Sequence, residues 1–487
     1  MLEYIAESIR KYDFINEIWR PSFHYTAPKG WLNDPNGLIY YKSYYHLFYQ
    51  HNPKDCNWNS MHWGHAISKD MVNWKDLKIA LRPDQPYDNH PEGGCFSGSA
   101  VEKDGKLYLF YSATIKDGIN LYQTQCMAYS EDGVNFKKYD RNPIISIPPS
   151  GASSDFRDPK VFAVGDKWYM VIGGSVGGAE SGGDGRVFLY VSDNLEQWEY
   201  KGNVLESNGM LGTMLECPDM FELNGKWVLT CSPMFHPKNN KALYCVGTMD
   251  FENCIFSIEN MGTLDAGFDY YATQSFLDEE GNRILIGWLN GWSWMPWCDN
   301  WGPTEIEGWR GTLSEPRVAR LDDENRLYLQ PIDNLDTIKV TDAKEENVSI
   351  SPSKYKLYPR DQYSFEIRIS GNIDEIEARY LEIGLFAGNN KETLISLDFI
   401  AGVMTLDRSN SDLYSSGKVN CLFNNNNIFE LQILVDHSCI EVFLNNGRNC
   451  LSANVYPEKN QTECYIRTPY KSGLLRKVIT SSFNSIW

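Results

Sequence analysis

The sequence predicts an all-β protein, a five-bladed β-propeller followed by a C-terminal β-sandwich. Three observations carry that prediction. A short apolar-aromatic motif recurs about every 60 residues. A second marker recurs in phase with it. The last third of the chain then drops the repeat but keeps strand-like alternation between turn residues.

Residues 1–22 read as an N-terminal helical extension. Leu2, Ile5, Ile9 and either Phe14 or Ile15 would share one helix face, which would pack on the main body. Glu3, Glu7, Arg10, Lys11, Asp13 and Glu17 fall where a secretory signal needs an apolar core, so a cytoplasmic protein is expected.

Residues 23–330 hold the repeat. Leu47, Leu109, Met170, Leu229 and Leu285 occupy equivalent places in five strand-like runs, at spacings of 62, 61, 59 and 56 residues. Turn pairs such as Asp104-Gly105 and Asn224-Gly225 precede four of the five runs. Trp74, Phe136 and Trp198 follow the small acidic turns Ser68-Lys-Asp70, Ser130-Glu-Asp132 and Ser192-Asp193, and Thr248-Met-Asp250 is a fainter fourth copy. A unit of this size holds four short strands, one propeller blade, and the interval has room for five.

Residues 331–345, within a charge-rich stretch, read as a linker. Residues 346–487 read as an antiparallel sandwich, with strand-like runs such as Tyr363 to Ile369 and Phe429 to Val435 separated by turns such as Asn446-Gly447. Its expected role is to stabilise the propeller or to form a homo-oligomer contact.

Composition narrows the function. Of the 487 residues 42% are hydrophobic and 22% charged, an ordinary globular balance. Lys and Arg total 45 against 64 Asp and Glu, a net charge of −19 that argues against nucleic acid or an anionic membrane as partner. No run reaches the roughly 18–20 apolar residues of a membrane span. The twelve cysteines form no Cys-x-x-Cys pair and read as reduced thiols. No ligand cluster calls for a metal, and no cofactor is expected.

In a propeller the innermost strand of each blade lines the central channel. The same repeat phase supplies Asp34, Phe96, Asp158, Glu216 and Tyr271, so residues from five blades should face one funnel. Most of the 64 carboxylates must be solvated surface groups. Three converging on one axis would repel each other, and such crowding marks functional sites. Carboxylates beside aromatics, without a phosphate-binding loop, suggest glycoside chemistry, in which one carboxylate attacks the anomeric carbon and a protonated one serves the leaving oxygen.

The string Trp31-Leu-Asn-Asp-Pro-Asn-Gly37, followed in order by Phe96-Ser-Gly98, Arg157-Asp-Pro159 and Glu216-Cys-Pro218, resembles glycoside hydrolase family 32, the family of invertases, sucrose-6-phosphate hydrolases, levanases and inulinases. Met61-His-Trp-Gly-His-Ala66 and the stretch from Val435 to Gly447 extend the likeness over nearly the whole chain. The resemblance implies a retaining β-fructofuranosidase acting on sucrose, sucrose 6-phosphate or short fructo-oligosaccharides. Fructan exo-hydrolysis or fructosyl transfer are its siblings, and a non-catalytic carbohydrate-binding propeller is the rival from another class.

By motif, Asp34 would be the nucleophile, Glu216 the acid/base and Asp158 the transition-state stabiliser. Asn33, Gln50, Trp58, Phe96, Ser97, Arg157, Tyr271 and Trp292 would form the fructose pocket. These roles call for a raised pKa at Glu216 and an ionised Asp34 aided by amide donors. Cys217, next to the acid, is either a tuning group or a plain buried thiol. Lys160, Arg186 and Arg310 are candidates to bind a substrate phosphate. Asn59 departs from the glycine that the family often has after Trp58. The Trp-rich stretch Trp292 to Trp309 is either a platform for the leaving group or a packed loop.

Overall fold

The computed structural model describes residues 17–118, 120–236, 241–295, 298, 300–424 and 427–487. The helix expected in the N-terminal extension falls largely on residues outside these; residues 17–22 are irregular.

Five antiparallel sheets of four consecutive strands follow one another from Gly30 to Pro331, with the segment Trp309–Arg310 added to the first. Their inner strands are Gly30–Tyr41, Gly94–Lys103, Phe156–Val164, Met214–Leu223 and Tyr271–Leu277. Each packs against the next, and the fifth packs against the first, so the blades form a closed ring. The motif leucines and Met170 all lie on second strands, where alternate residues enter the cores between blades.

Closure uses the chain on both sides of the ring. Trp309–Arg310 pairs in parallel with Gly30 and Trp31, and Thr26 bridges to Thr312. Between them, Gly311 sits at φ +97°, where a Cβ would lie 1.9 Å from the Leu32 carbonyl oxygen. Only glycine fits that approach.

The acidic turns join third and fourth strands. Asp70 Oδ1 accepts the N–H groups of Val72 and Asn73, and Asp132 and Asp250 build the same turn. In the third blade the residue in this role is Asn194, not Asp193: its Oδ1 accepts the N–H groups of Glu196 and Gln197. An amide oxygen accepts these bonds as a carboxylate does, so the turn survives the change of residue.

The following unit stacks two six-stranded sheets. The interval read as a linker holds a short 3-10 turn, Asp333–Thr337, and the start of an edge strand, Lys339–Ile350. That strand pairs along its length with Gly473–Phe483. Its charges hid it from the sequence reading, because half of its residues are exposed and only Val348 and Ile350 are buried.

The two units share one apolar core, in which Leu434, Phe443 and Phe483 join propeller residues such as Phe23 and Leu329. Arg317 crosses that boundary fully buried. It donates to Asp265 Oδ2 at 2.9 Å, to Glu441 Oε2 at 2.8 Å and to Ser452 Oγ at 2.7 Å. His24 approaches the other oxygen of Glu441 at 3.2 Å. Removing one member strands a buried charge. Arg317→Ala is therefore expected to lower unfolding free energy by about 3–5 kcal/mol, read from urea denaturation; a loss under about 1 kcal/mol would contradict this reading.

Candidate active site

The site is built by five β-bulges, one per inner strand at the same level. In each, two inner-strand residues oppose one residue of the second strand: Asn33 and Asp34, Phe96 and Ser97, Asp158 and Pro159, Cys217 and Pro218, Ala272 and Thr273. A bulge bends the strand and re-aims its side chains. Asp158, Cys217 and Ala272 take the left-handed conformation, at φ 67°, 46° and 52°.

The phase read from sequence therefore mixes bulge positions. Phe96 and Asp158 are first bulge residues, Asp34 is a second one, and Glu216 and Tyr271 directly precede their bulges. Equal counting along the chain cannot see this, because a bulge shifts alternation by one residue. The side chains still come together: the Cys217 thiol lies against both Asp34 and Asp158, the charge of Glu216 acts on Asp34, and Tyr271 bonds Glu216.

Neighbouring blades supply partners for backbone groups at the bulges. Ser112 Oγ accepts the Asp158 N–H at 2.9 Å, and Ser232 Oγ accepts the Ala272 N–H at 2.9 Å. Gln50, opposite the first bulge, donates to the Cys95 carbonyl at 2.9 Å. Its observed contact is thus a stitch between blades.

Asp34 is held on both oxygens. Asn33 Nδ2 donates to Oδ1 at 2.9 Å, and Ser97 Oγ donates to Oδ2 at 2.5 Å. The Trp31 indole N–H fixes the Asn33 amide by donating to its Oδ1 at 2.6 Å. Cys217 ties two acids together: its N–H donates to Asp158 Oδ2 at 3.0 Å, and its thiol lies 3.5 Å from Asp34 Oδ2. Glu216 takes Arg157 Nη2 and Nε on Oε1, at 2.8 and 3.2 Å, and meets the Tyr271 hydroxyl with Oε2 at 2.8 Å. Arg157 also reaches Asp155 and Gln123.

Burial dominates the electrostatics. It lifts the Asp34 carboxyl to about 6; the Ser97 and Asn33 donors oppose the rise, and the charge of Glu216 adds to it. The Asn33 amide thus favours the ionised form of Asp34 as expected, but desolvation outweighs it. Asp158 is pushed up in the same way, by burial first, with Arg157 opposing and the other two acids adding. Cys217 is raised well above the usual thiol range, again mainly by burial, so it stays a neutral donor.

Aromatic rings wall one side. Trp58 meets Phe96 edge-on at 5.5 Å and Trp292 at 6.1 Å, while Trp292 stacks on buried Trp31 at 6.1 Å. The sequence reading gave no role to two contributors. Trp31 orients Asn33, and Trp294 lies 6.1 Å from Tyr271 and 5.0 Å from Phe235. The first stood inside the quoted motif; the second stood among four tryptophans with nothing to separate it. Asn59 accepts from Asn52 Nδ2 at 3.0 Å and thereby fixes the Trp58 loop. Among the described residues, no group of three His, Cys, Asp or Glu is arranged to hold a metal ion.

The three cations considered for a phosphate are engaged elsewhere. Lys160 is buried against Asp219 at 2.8 Å, Arg186 pairs with Asp184, and Arg310 pairs with Glu305 at 2.6 Å.

The same chain matches the model described as "Glycosyl hydrolases family 32 N-terminal domain" over residues 24–331, and the C-terminal model of that family over residues 333–482. The chain belongs to glycosyl hydrolase family 32. It is 34% identical over 468 residues to a sucrose-6-phosphate hydrolase of Zymomonas mobilis, spanning 91% of this chain and 88% of the relative. It is 33% identical to the levanase of Bacillus subtilis, over 92% of this chain and 68% of that one. A solved family 32 β-fructofuranosidase of Bombyx mori aligns with a TM-score of 0.82 at 31% identity, covering 100% of this chain and 97% of that structure. This family 32 chain is thus a glycoside hydrolase with the propeller and sandwich of its relatives.

Removing the Ser97 hydroxyl deletes a donor to Asp34. In Ser97→Ala the Asp34 carboxyl pKa is expected to rise further above 6, by roughly one unit, measured by carboxyl 13C titration. An unchanged value would show that the contact does not govern its charge.

Proposed function

We propose that this enzyme hydrolyses the terminal β-D-fructofuranoside of small sugars, sucrose first, by a retaining double displacement. The observation that carries the reading is the convergence of Asp34, Asp158 and Glu216 on one well, with Arg157 and Tyr271 holding Glu216 and with Asn33 and Ser97 holding Asp34.

Asp34 attacks the anomeric carbon as Glu216 gives its proton to the leaving oxygen. The bond between that carbon and oxygen breaks, its electron pair stays on oxygen, and a fructosyl ester forms on Asp34. Water, losing its proton to Glu216, then displaces Asp34. Asp158 keeps an oxygen directed away from the Cys217 N–H, and ring hydroxyls of fructose are its partners in this reading. The wall of Trp58, Phe96 and Trp292 offers the sugar apolar faces.

Sucrose is favoured over its 6-phosphate by the engagement of Lys160, Arg186 and Arg310 with carboxylates. The phosphorylated sugar is the second reading, supported by the name of the Zymomonas mobilis relative. We also propose a reducing cytoplasm as the compartment; the thiol state of Cys217 and the other cysteines supports it.

Incubation with sucrose, sucrose 6-phosphate, kestose, inulin and levan tests the substrate. Release of glucose and fructose from sucrose is expected, with lower kcat/KM on the phosphate ester. No release from any β-fructoside by folded protein would favour a binding propeller.

The roles separate kinetically. Glu216→Gln should lower kcat/KM on sucrose by roughly 10²–10⁴-fold but cost far less on a fructoside with a good leaving group. Equal losses would contradict the acid role. Asp34 must be ionised to attack, and its carboxyl lies at about 6. The acid limb of the rate is therefore expected at about that value, with a tenfold fall per pH unit below it; an acid limb lying in the ordinary carboxylate range would contradict the assignment.

A further inference from the structure

Tyr271 stands between two oxygens, and its single hydrogen cannot serve both at once. Its hydroxyl oxygen lies 2.8 Å from Glu216 Oε2 and 2.9 Å from the Ser232 carbonyl oxygen. The carbonyl can only accept, so when both bonds are made the tyrosine donates to Ser232. Toward Glu216 it must then accept, which requires a hydrogen on Oε2. The other carboxyl oxygen, Oε1, faces only donors, the Nη2 and Nε of Arg157. The arrangement is complete for one protonation state, with Oε1 bare and Oε2 protonated.

Tyr271 can also answer the opposite state. If Glu216 is ionised, rotating the phenol O–H from Ser232 to Oε2 turns an accepted bond into a donated, charge-assisted one. Burial and the neighbouring acids hold the Tyr271 pKa well above its usual value, so the hydrogen stays on the phenol while Glu216 changes charge.

We infer that Tyr271 is a positioning residue that places the acid/base proton on Glu216 Oε2 and, by reversing its hydroxyl, stabilises the carboxylate left once that proton is delivered. This rests on the reading of Glu216 as the acid/base. In the first half-reaction the proton moves from Oε2 to the glycosidic oxygen, and the Tyr271 hydrogen swings from Ser232 to Glu216. In the second, water returns a proton to Glu216 and the hydroxyl swings back. No proton leaves Tyr271 in either step. Among the described residues, the other charged or titratable groups facing Glu216 are Arg157, Asp34, Asp158 and Cys217, from the first, third and fourth blades.

The test compares wild type, Tyr271→Phe and protein carrying a ring-fluorinated tyrosine at position 271. The readout is kcat/KM against pH for sucrose and for p-nitrophenyl β-D-fructofuranoside, with thermal melts to confirm folding. The phenylalanine variant should lose roughly ten- to a hundredfold on sucrose, much less on the nitrophenyl sugar. Its alkaline limb should move up by roughly 0.5–1 pH unit, because the ionised acid loses the stronger bond. Fluorination makes the phenol a better donor in the same shape, so it should move that limb down. An unmoved limb in both proteins, or equal losses on the two substrates, would overturn the inference while leaving wild-type hydrolysis intact. A wild type that cleaves neither substrate would instead sink the functional reading and this inference with it.

Discussion

Two buried carboxylates, Asp34 and Asp158, and the partly buried Glu216 crowd one well, where ionised acids repel one another and lose hydration, and the groups around them offset that cost. Asp34 and Asp158 both rise in pKa because burial outweighs their hydrogen bonds. Among the described residues one buried cation, Arg157, works against the summed charge, and it is itself held by Asp155 and Gln123. The remaining support is neutral: the Ser97 hydroxyl, the Asn33 amide, and the N–H and thiol of Cys217. Neutral donors stabilise the ionised forms of Asp34 and Asp158 without adding further charge to the well.

The ring supplies the convergence and the bulges supply the aim. Ring closure at Gly311 sets Gly30–Tyr41 against Tyr271–Leu277, so the first and last blades face the same axis. At each bulge a regular ladder breaks, and at two of them hydroxyls from preceding blades, those of Ser112 and Ser232, accept the buried N–H groups of Asp158 and Ala272. Ser232 thereby contributes twice, since its carbonyl also receives Tyr271. The sandwich holds the propeller through Glu441, which accepts from Arg317, and through Tyr414, whose carbonyl accepts from Asn300 in the Trp-rich loop.

The repeat was legible because second strands carry the same apolar run in every blade, as Leu47 and Leu229 do. The neighbourhood of the acids followed from their place near the start of inner strands. Their equivalence did not, because bulges displace alternation without any marker in residue type; Glu216 and Asp158 look alike in spacing and sit one position apart in structure. The third acidic turn was misread for a related reason: Asn194 performs an acceptor role that does not need a charge. The edge strand Lys339–Ile350 looked like a linker because exposed edge positions need no apolar residues. The partner of Lys160, Asp219, was invisible because it lies on the inner strand of another blade and is brought close only by the fold.

The central claim is that Asp34 and Glu216 act on opposite sides of one sugar bond. It is tested most directly by mass spectrometry of Glu216→Gln mixed with an activated β-fructoside and quenched rapidly. The account predicts a single fructosyl unit bound as an ester to the peptide that contains Asp34. Free fructose released with no adduct at any quench time, or an adduct on another carboxylate, would contradict it.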